Sequence, residues 1–172
     1  HDTNRMYETL GRNPEKLKMA YTFLATTRGI PQIYYGTEVL LAARDSKKLG
    51  HGEERAPMLA RVLTAEGRDP LEENVYRYIS RLLTWRKSSP TVQYGRLLHF
   101  LPRYEENMYV YFRILDDECV MVLINNGQQP VQVDWQRYAE GLGKAQKGKE
   151  VLSGMEITVG QPVQVPAQTA IF

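Results

Sequence analysis

Apolar residues change their spacing along this chain, and the change falls near Pro90. Before it they recur at helical intervals, and after it they alternate with a period of two. One class of secondary structure cannot satisfy both periods. The chain therefore reads as two parts, residues 1–90 and residues 91–172. A length of 172 residues leaves room for one domain, or a small domain joined to a piece of another.

The first part reads as helix, buried strand, long loop and helix. Asn13 before Pro14 is an N-cap followed by proline at the first helical position. Leu17, Ala20, Tyr21, Leu24 and Ala25 then form one apolar face, and Gly29 and Pro31 stop the helix. Ile30–Gly36 is short, aromatic and β-branched, which predicts a strand buried on both faces of a parallel sheet. Glu38 follows it, where sites of α/β folds gather. Residues 44–68 are polar and irregular. Asp69–Pro70, with Glu72 at the capping-box position, starts a second helix. Leu71, Val75, Tyr78, Ile79, Leu82 and Leu83 form its apolar face, and it ends at Ser88–Ser89–Pro90. A lone parallel strand would leave its backbone groups unpaired, at about 1–3 kcal/mol for each buried group. The first part therefore reads as the tail end of an α/β domain.

The second part reads as an antiparallel sandwich of about seven short strands. Met108, Val110, Phe112 and Ile114 alternate with Tyr109, Tyr111 and Arg113. Asp116–Asp117 marks a turn, Cys119–Ile124 a strand, and Asn125–Asn126–Gly127 a second turn. Val131 and Val133, Ile157 and Val159, Val163 and Val165, and Ala170–Phe172 add further strands.

Composition excludes several classes. The longest uninterrupted apolar run, Cys119–Ile124, spans six residues, against about 20 for a membrane-spanning helix. Cys119 is the sole cysteine, so neither an intrachain disulfide nor a cysteine zinc cluster can form. Net charge is +2, without the dense basic stripe of a nucleic-acid binder. The chain starts at His1, with no initiator Met and no signal peptide, which reads as a processed product or a segment cut from something longer.

Single residues point weakly to chemistry. His1–Asp2 near Arg5 has the makings of a polyol-binding or acid/base site, or of a solvated terminus. His51–Gly52–Glu53–Glu54–Arg55 has metal-ligand residue types without ligand spacing, and reads as a solvated loop. His99 reads as a half-buried strand residue and Cys119 as a small core residue. Trp135 and Tyr138 suit either sugar stacking or packing at a sandwich edge, with packing favoured. Cross-strand packing is favoured likewise for Tyr104, Tyr109 and Tyr111.

The order of these pieces is more specific than any one of them. His1–Asp2–Thr3, a helix, Gly29-Ile30-Pro31-Gln32-Ile33-Tyr34-Tyr35-Gly36-Thr37-Glu38, a helix ending Trp85–Arg86–Lys87, and then a β-sandwich resembles the C-terminal portion of α-amylase-family glycoside hydrolases. Gly50–Arg55 and Tyr109–Arg113 are similar to the neopullulanase and cyclomaltodextrinase subgroup of the Bacteroides type. The resemblance implies an α+β fragment: residues 1–90 as the final helix–strand–helix elements of a (β/α)8 barrel, and residues 91–172 as the family's C-terminal β-sandwich. It implies a retaining hydrolase of α-1,4-linked maltooligosaccharides, cyclodextrins or pullulan. Asp2 would be the third carboxylate, supporting the transition state. His1 would bind substrate, with Arg5 beside it. No segment resembles the nucleophile or acid/base motifs, so the chain alone is expected to be inactive. The resemblance implies no cofactor, leaves calcium in the parent protein open, and suggests a periplasmic location. The partners it implies are an α-glucan, the preceding barrel portion, and other copies of the chain meeting through exposed helix faces. Rival readings are a carbohydrate-binding sandwich using Trp135 and Tyr138, and a purely structural module.

Overall fold

The computed structural model of the chain describes residues 3–43 and 52–172. Two compact units divide it: His1–Lys18 with Pro31–Ser80, and Met19–Ile30 with Arg81–Phe172.

Local chemistry sets the two long helices as the sequence predicts. α1 is a single turn, Met6–Thr9. α2 runs Pro14–Thr26, with the Asn13 side-chain oxygen accepting from the Glu15 and Lys16 amides at 2.9 and 3.0 Å. α3 runs Pro70–Lys87. There the Asp69 carboxylate accepts from the Leu71 and Glu72 amides, while Glu72 reaches back to the Asp69 amide at 2.9 Å. This reciprocal cap satisfies helix donors that otherwise lack partners. Arg61 clamps Glu72 bidentately at 2.6 and 2.7 Å. That pairing, with the backbone bond, holds the Glu72 carboxyl below its ordinary pKa against the opposing effect of burial. Val75, Ile79 and Leu82 are buried as expected, but Leu71 is exposed.

The expected strand over Ile30–Gly36 is not formed. The segment makes no ladder, and Ile30 is 95% exposed. The physical reason is pairing: a strand forms only against a neighbouring strand, and the described residues supply none to this segment. It turns at Gly36, whose φ of 78° suits glycine, into a short 3-10 helix, Thr37–Val39.

The second unit carries the sandwich. α4 (Pro90–Tyr94) is followed by β1 (Arg96–Phe100), β2 (Met108–Leu115), β3 (Glu118–Asn125), β4 (Val131–Gln132), α5 (Ala139–Leu142), β5 (Lys147–Lys149), β6 (Glu156–Thr158), β7 (Gln164–Val165) and β8 (Thr169–Ile171). One antiparallel sheet has the order β1-β2-β3-β8, and two small sheets pair β4 with β7 and β5 with β6. Met108, Val110, Phe112 and Leu123 of the large sheet pack with Val133, Tyr138 and Val165 as the core. A Cβ on Gly141 would run into the Phe112 ring, so glycine lets α5 lie directly on β2. The buried Asn125 amide donates to the carbonyls of Gln129, Val165 and Pro166, and its oxygen accepts from the Gly127 amide. The predicted turn thereby also ties β3 to β7.

The other face of β2 is not a solvent face. Tyr111 and Arg113 are both fully buried. The Tyr111 hydroxyl lies 2.5 Å from the Thr26 hydroxyl. Arg113 donates to the carbonyls of Thr26 (2.9 Å), Thr27 (2.8 Å) and Gly95 (2.6 Å). Arg86 donates to those of Ala25 (2.5 Å) and Gly29 (2.7 Å). Two guanidiniums thus cap the end of α2, where the orphan carbonyls carry partial negative charge. Burial lowers the pKa of both, and for Arg113 the Arg86 charge adds to the effect. A guanidinium is not deprotonated in proteins, so both carry charge. Arg113→Met leaves three carbonyls without their donor. It is expected to cost about 3–5 kcal/mol in urea unfolding, the scale of breaking a buried charged interaction. A loss under about 1 kcal/mol would show that the cap is not needed.

Candidate functional site

Arg5 stands at the start of α1, at the extended position just before the helix. Its guanidinium is 2% exposed. Nε donates to the Glu54 carbonyl at 2.6 Å and Nη1 to the Tyr35 carbonyl at 2.7 Å. The same group lies over the Tyr34 and Tyr35 rings, 4.7 and 4.8 Å from their centroids. The Tyr35 hydroxyl completes the tie by donating to the Ala56 carbonyl at 2.9 Å. One side chain therefore joins three segments: the one following His1–Asp2, the aromatic pair, and the loop at 52–56. Desolvation raises the Tyr34 phenol pKa, and the Tyr35 neighbour adds to it.

This junction is polar and incompletely paired. Glu54 is 1% exposed, and neither carboxylate oxygen has a hydrogen-bond partner. Nη2 of Arg5 and one buried oxygen of Glu38 are unpartnered as well. α1 is held to the neighbouring backbone by Glu8, which accepts from the Ala43 amide at 2.9 Å and pairs with Arg12.

The sequence candidates fare unevenly. His1, Asp2, His51 and the Glu53 side chain lie outside the described residues. Arg5 has two of its donor atoms committed to backbone carbonyls, which suits a residue that positions its neighbours. Glu54 was expected in a solvated loop and is instead buried. The available signal was the apolar step at Ala56, itself 5% exposed. Among the described residues no group of three His, Cys, Asp or Glu side chains is placed to hold a metal ion.

In the second unit, His99 is exposed, with Nδ1 3.2 Å from the Tyr109 hydroxyl. Tyr104 is almost wholly exposed and does not take part in cross-strand packing. Tyr138 is buried against Phe100, ring to ring at 5.1 Å and 84°, so it is not a sugar platform. The Trp135 indole N–H donates to the Gln161 carbonyl at 2.7 Å.

Comparison with known proteins adds to this geometry. Residues 97–172 match the family described as the cyclo-malto-dextrinase C-terminal domain. An α-amylase from Niallia circulans is 32% identical over 126 residues, which is 73% of this chain and 21% of the relative. A cyclomaltodextrinase from Geobacillus thermopakistaniensis is 27% identical over 135 residues, 77% of this chain and 21% of the relative. In fold, the chain superposes on the crystal structure of an α-amylase from Geobacillus thermoleovorans complexed with acarbose. The TM-score is 0.79 at 24% identity, covering 99% of this chain and 36% of that one. The chain thus spans about a fifth of the length of these two curated relatives.

The unpaired Glu54 carboxylate yields a prediction. Glu54→Gln keeps the shape and replaces one of two buried oxygens that lack a donor with an NH2 group able to donate. It is expected to stabilise the chain by about 1–3 kcal/mol in urea unfolding at neutral pH. Destabilisation of that size would mean that the carboxylate has a favourable role in the junction.

Proposed function

We propose, from the premise that this chain belongs with the C-terminal portion of α-amylase-family glycoside hydrolases, that its parent protein is a retaining α-glucan hydrolase. Its substrates are α-1,4-linked maltooligosaccharides, cyclodextrins or pullulan. One observation carries this reading. The 126-residue likeness to the Niallia circulans α-amylase is longer than the 97–172 segment, so it extends into the helical part that precedes it.

In this reading residues 1–90 are the last helix–strand–helix elements of a barrel, and residues 91–172 are the sandwich that follows it. Parallel neighbours in the whole protein would give Ile30–Gly36 the ladder it lacks here. Asp2 hydrogen-bonds sugar hydroxyls at the cleavage point, and those bonds strengthen as the ring flattens towards an oxocarbenium ion. His1 donates to the same sugar. Arg5 acts through the backbone: held on the Glu54 and Tyr35 carbonyls, it positions its own segment rather than touching substrate.

Retaining chemistry needs a nucleophilic carboxylate and a carboxylic acid about 5–5.5 Å apart across the scissile bond. Asp2 cannot fill both roles, so the 172-residue chain alone is expected to release no reducing ends from maltoheptaose or β-cyclodextrin. Hydrolysis above that of a mock preparation would overturn this expectation. None of the described helices is long and apolar enough to cross a membrane. Phe23, Leu71 and Tyr76 leave apolar surface exposed on the two long helices, which supports self-association. Light scattering is expected to give a mass above the 19.8 kDa of one chain, and a monodisperse monomer would rule it out.

A further inference from the structure

The inner face of the four-stranded sheet is not filled throughout. A cavity of about 460 Å³ lies within the second unit, walled by Cys119 and Met121 of β3 and by Trp85, Trp135, Val163 and Phe172. Well-packed interiors keep few voids larger than a water molecule. An apolar void of about 150 Å³ stays dry and takes up benzene, and small-molecule pockets span about 300–1,000 Å³. This cavity is in the second range.

Its walls are held in place before any ligand arrives. Trp85 packs on Phe172, ring to ring at 5.2 Å, and the Trp135 indole is anchored on the Gln161 carbonyl. Four polar side chains on the lining, Glu118, Thr91, Glu150 and Ser89, are already engaged. Glu118 accepts from the Thr91 hydroxyl at 2.8 Å. Glu150 accepts from the Leu152 and Ser153 amides at 3.1 and 2.5 Å, and Ser89 from the Val92 amide at 3.4 Å. Lys147 and Lys149 stand on the exposed strand β5. Burial raises the Cys119 thiol pKa, which keeps it neutral. The lining therefore offers rings, methyl groups and sulfur, and its charged members are of both signs, Asp117, Glu118 and Glu150 against Lys147 and Lys149.

We propose that this cavity is a binding site for a neutral, largely apolar small molecule about the size of one or two aromatic rings. The proposal is independent of the hydrolase reading.

The test uses the full 172-residue chain and the neutral fluorophore N-phenyl-1-naphthylamine. Its fluorescence is expected to rise to saturation at one probe per chain, and 1-decanol is expected to displace it better than decanoate. Because Cys119 is the sole cysteine, its reaction with a disulfide reagent reads occupancy directly. Saturating probe is expected to slow that reaction at least fivefold. Met121→Trp and Ile157→Trp, which fill the cavity from β3 and β6, are expected to weaken probe binding at least tenfold while keeping cooperative melting. Absence of saturable binding, or binding that leaves Cys119 equally reactive, overturns the proposal. So does a folded filled variant that binds as tightly as the unsubstituted chain. If both variants fail to fold, the saturation and Cys119 measurements on the unsubstituted chain decide. Equal displacement by decanoate overturns the restriction to neutral ligands.

Discussion

The second unit depends on how the end of α2 is closed. A helix leaves its last carbonyls without intrahelical partners, and burying that end without donors would cost more than packing returns. Here four guanidinium nitrogens of Arg113 and Arg86 make five donor contacts, to Ala25, Thr26, Thr27 and Gly29 at and after the helix end and to Gly95. Burial lowers the pKa of both arginines, and for Arg113 the like charge of Arg86 adds to the effect. The converging carbonyl dipoles offset that repulsion. Because Arg113 sits on β2, the cap also decides which face of the large sheet meets residues 19–30 and which faces the small sheets.

The first unit uses the same device less completely. Arg5 likewise gathers backbone carbonyls from distant segments, and two tyrosine rings lie against its face. Yet Glu54 is left buried with no donor to either oxygen. A satisfied polar junction fixes one arrangement, whereas a partly satisfied one leaves free energy to be gained by whatever completes it. The two buried arginine junctions differ in degree: at the α2 cap one nitrogen, Nε of Arg113, lacks a partner, whereas the Arg5 junction leaves both Glu54 oxygens and Nη2 of Arg5 without one.

What could be read in advance follows from how local each cause is. Asn13, Asp69 and Glu72 announce helix starts because a cap acts within three or four residues. Asn125–Gly127 announces a turn for the same reason. Ile30–Gly36 misled because a strand exists only with its neighbours, which sequence periodicity does not supply. The alternation over Met108–Ile114 puts Tyr111 and Arg113 on one face of a strand but does not show that a helix some 85 residues earlier buries that face. Lys147–Gly148–Lys149 carries no strand signal and pairs through its backbone with β6. α4 and α5 are too short to show a helical period. In the candidate site only Arg5 was legible, through its nearness to His1–Asp2. Glu54 was hidden because loop polarity says nothing about what folds over it.

The buried cap of α2 bears on modularity. The segment recognisable by sequence as a domain begins at residue 97, but every carbonyl that Arg113 reaches lies before that point. The inherited unit and the physical unit therefore have different edges. Exchange of the 97–172 segment between relatives would carry the guanidinium away from its acceptors. A graft can keep this fold only if the recipient presents a helix end and a glycine carbonyl in the same places.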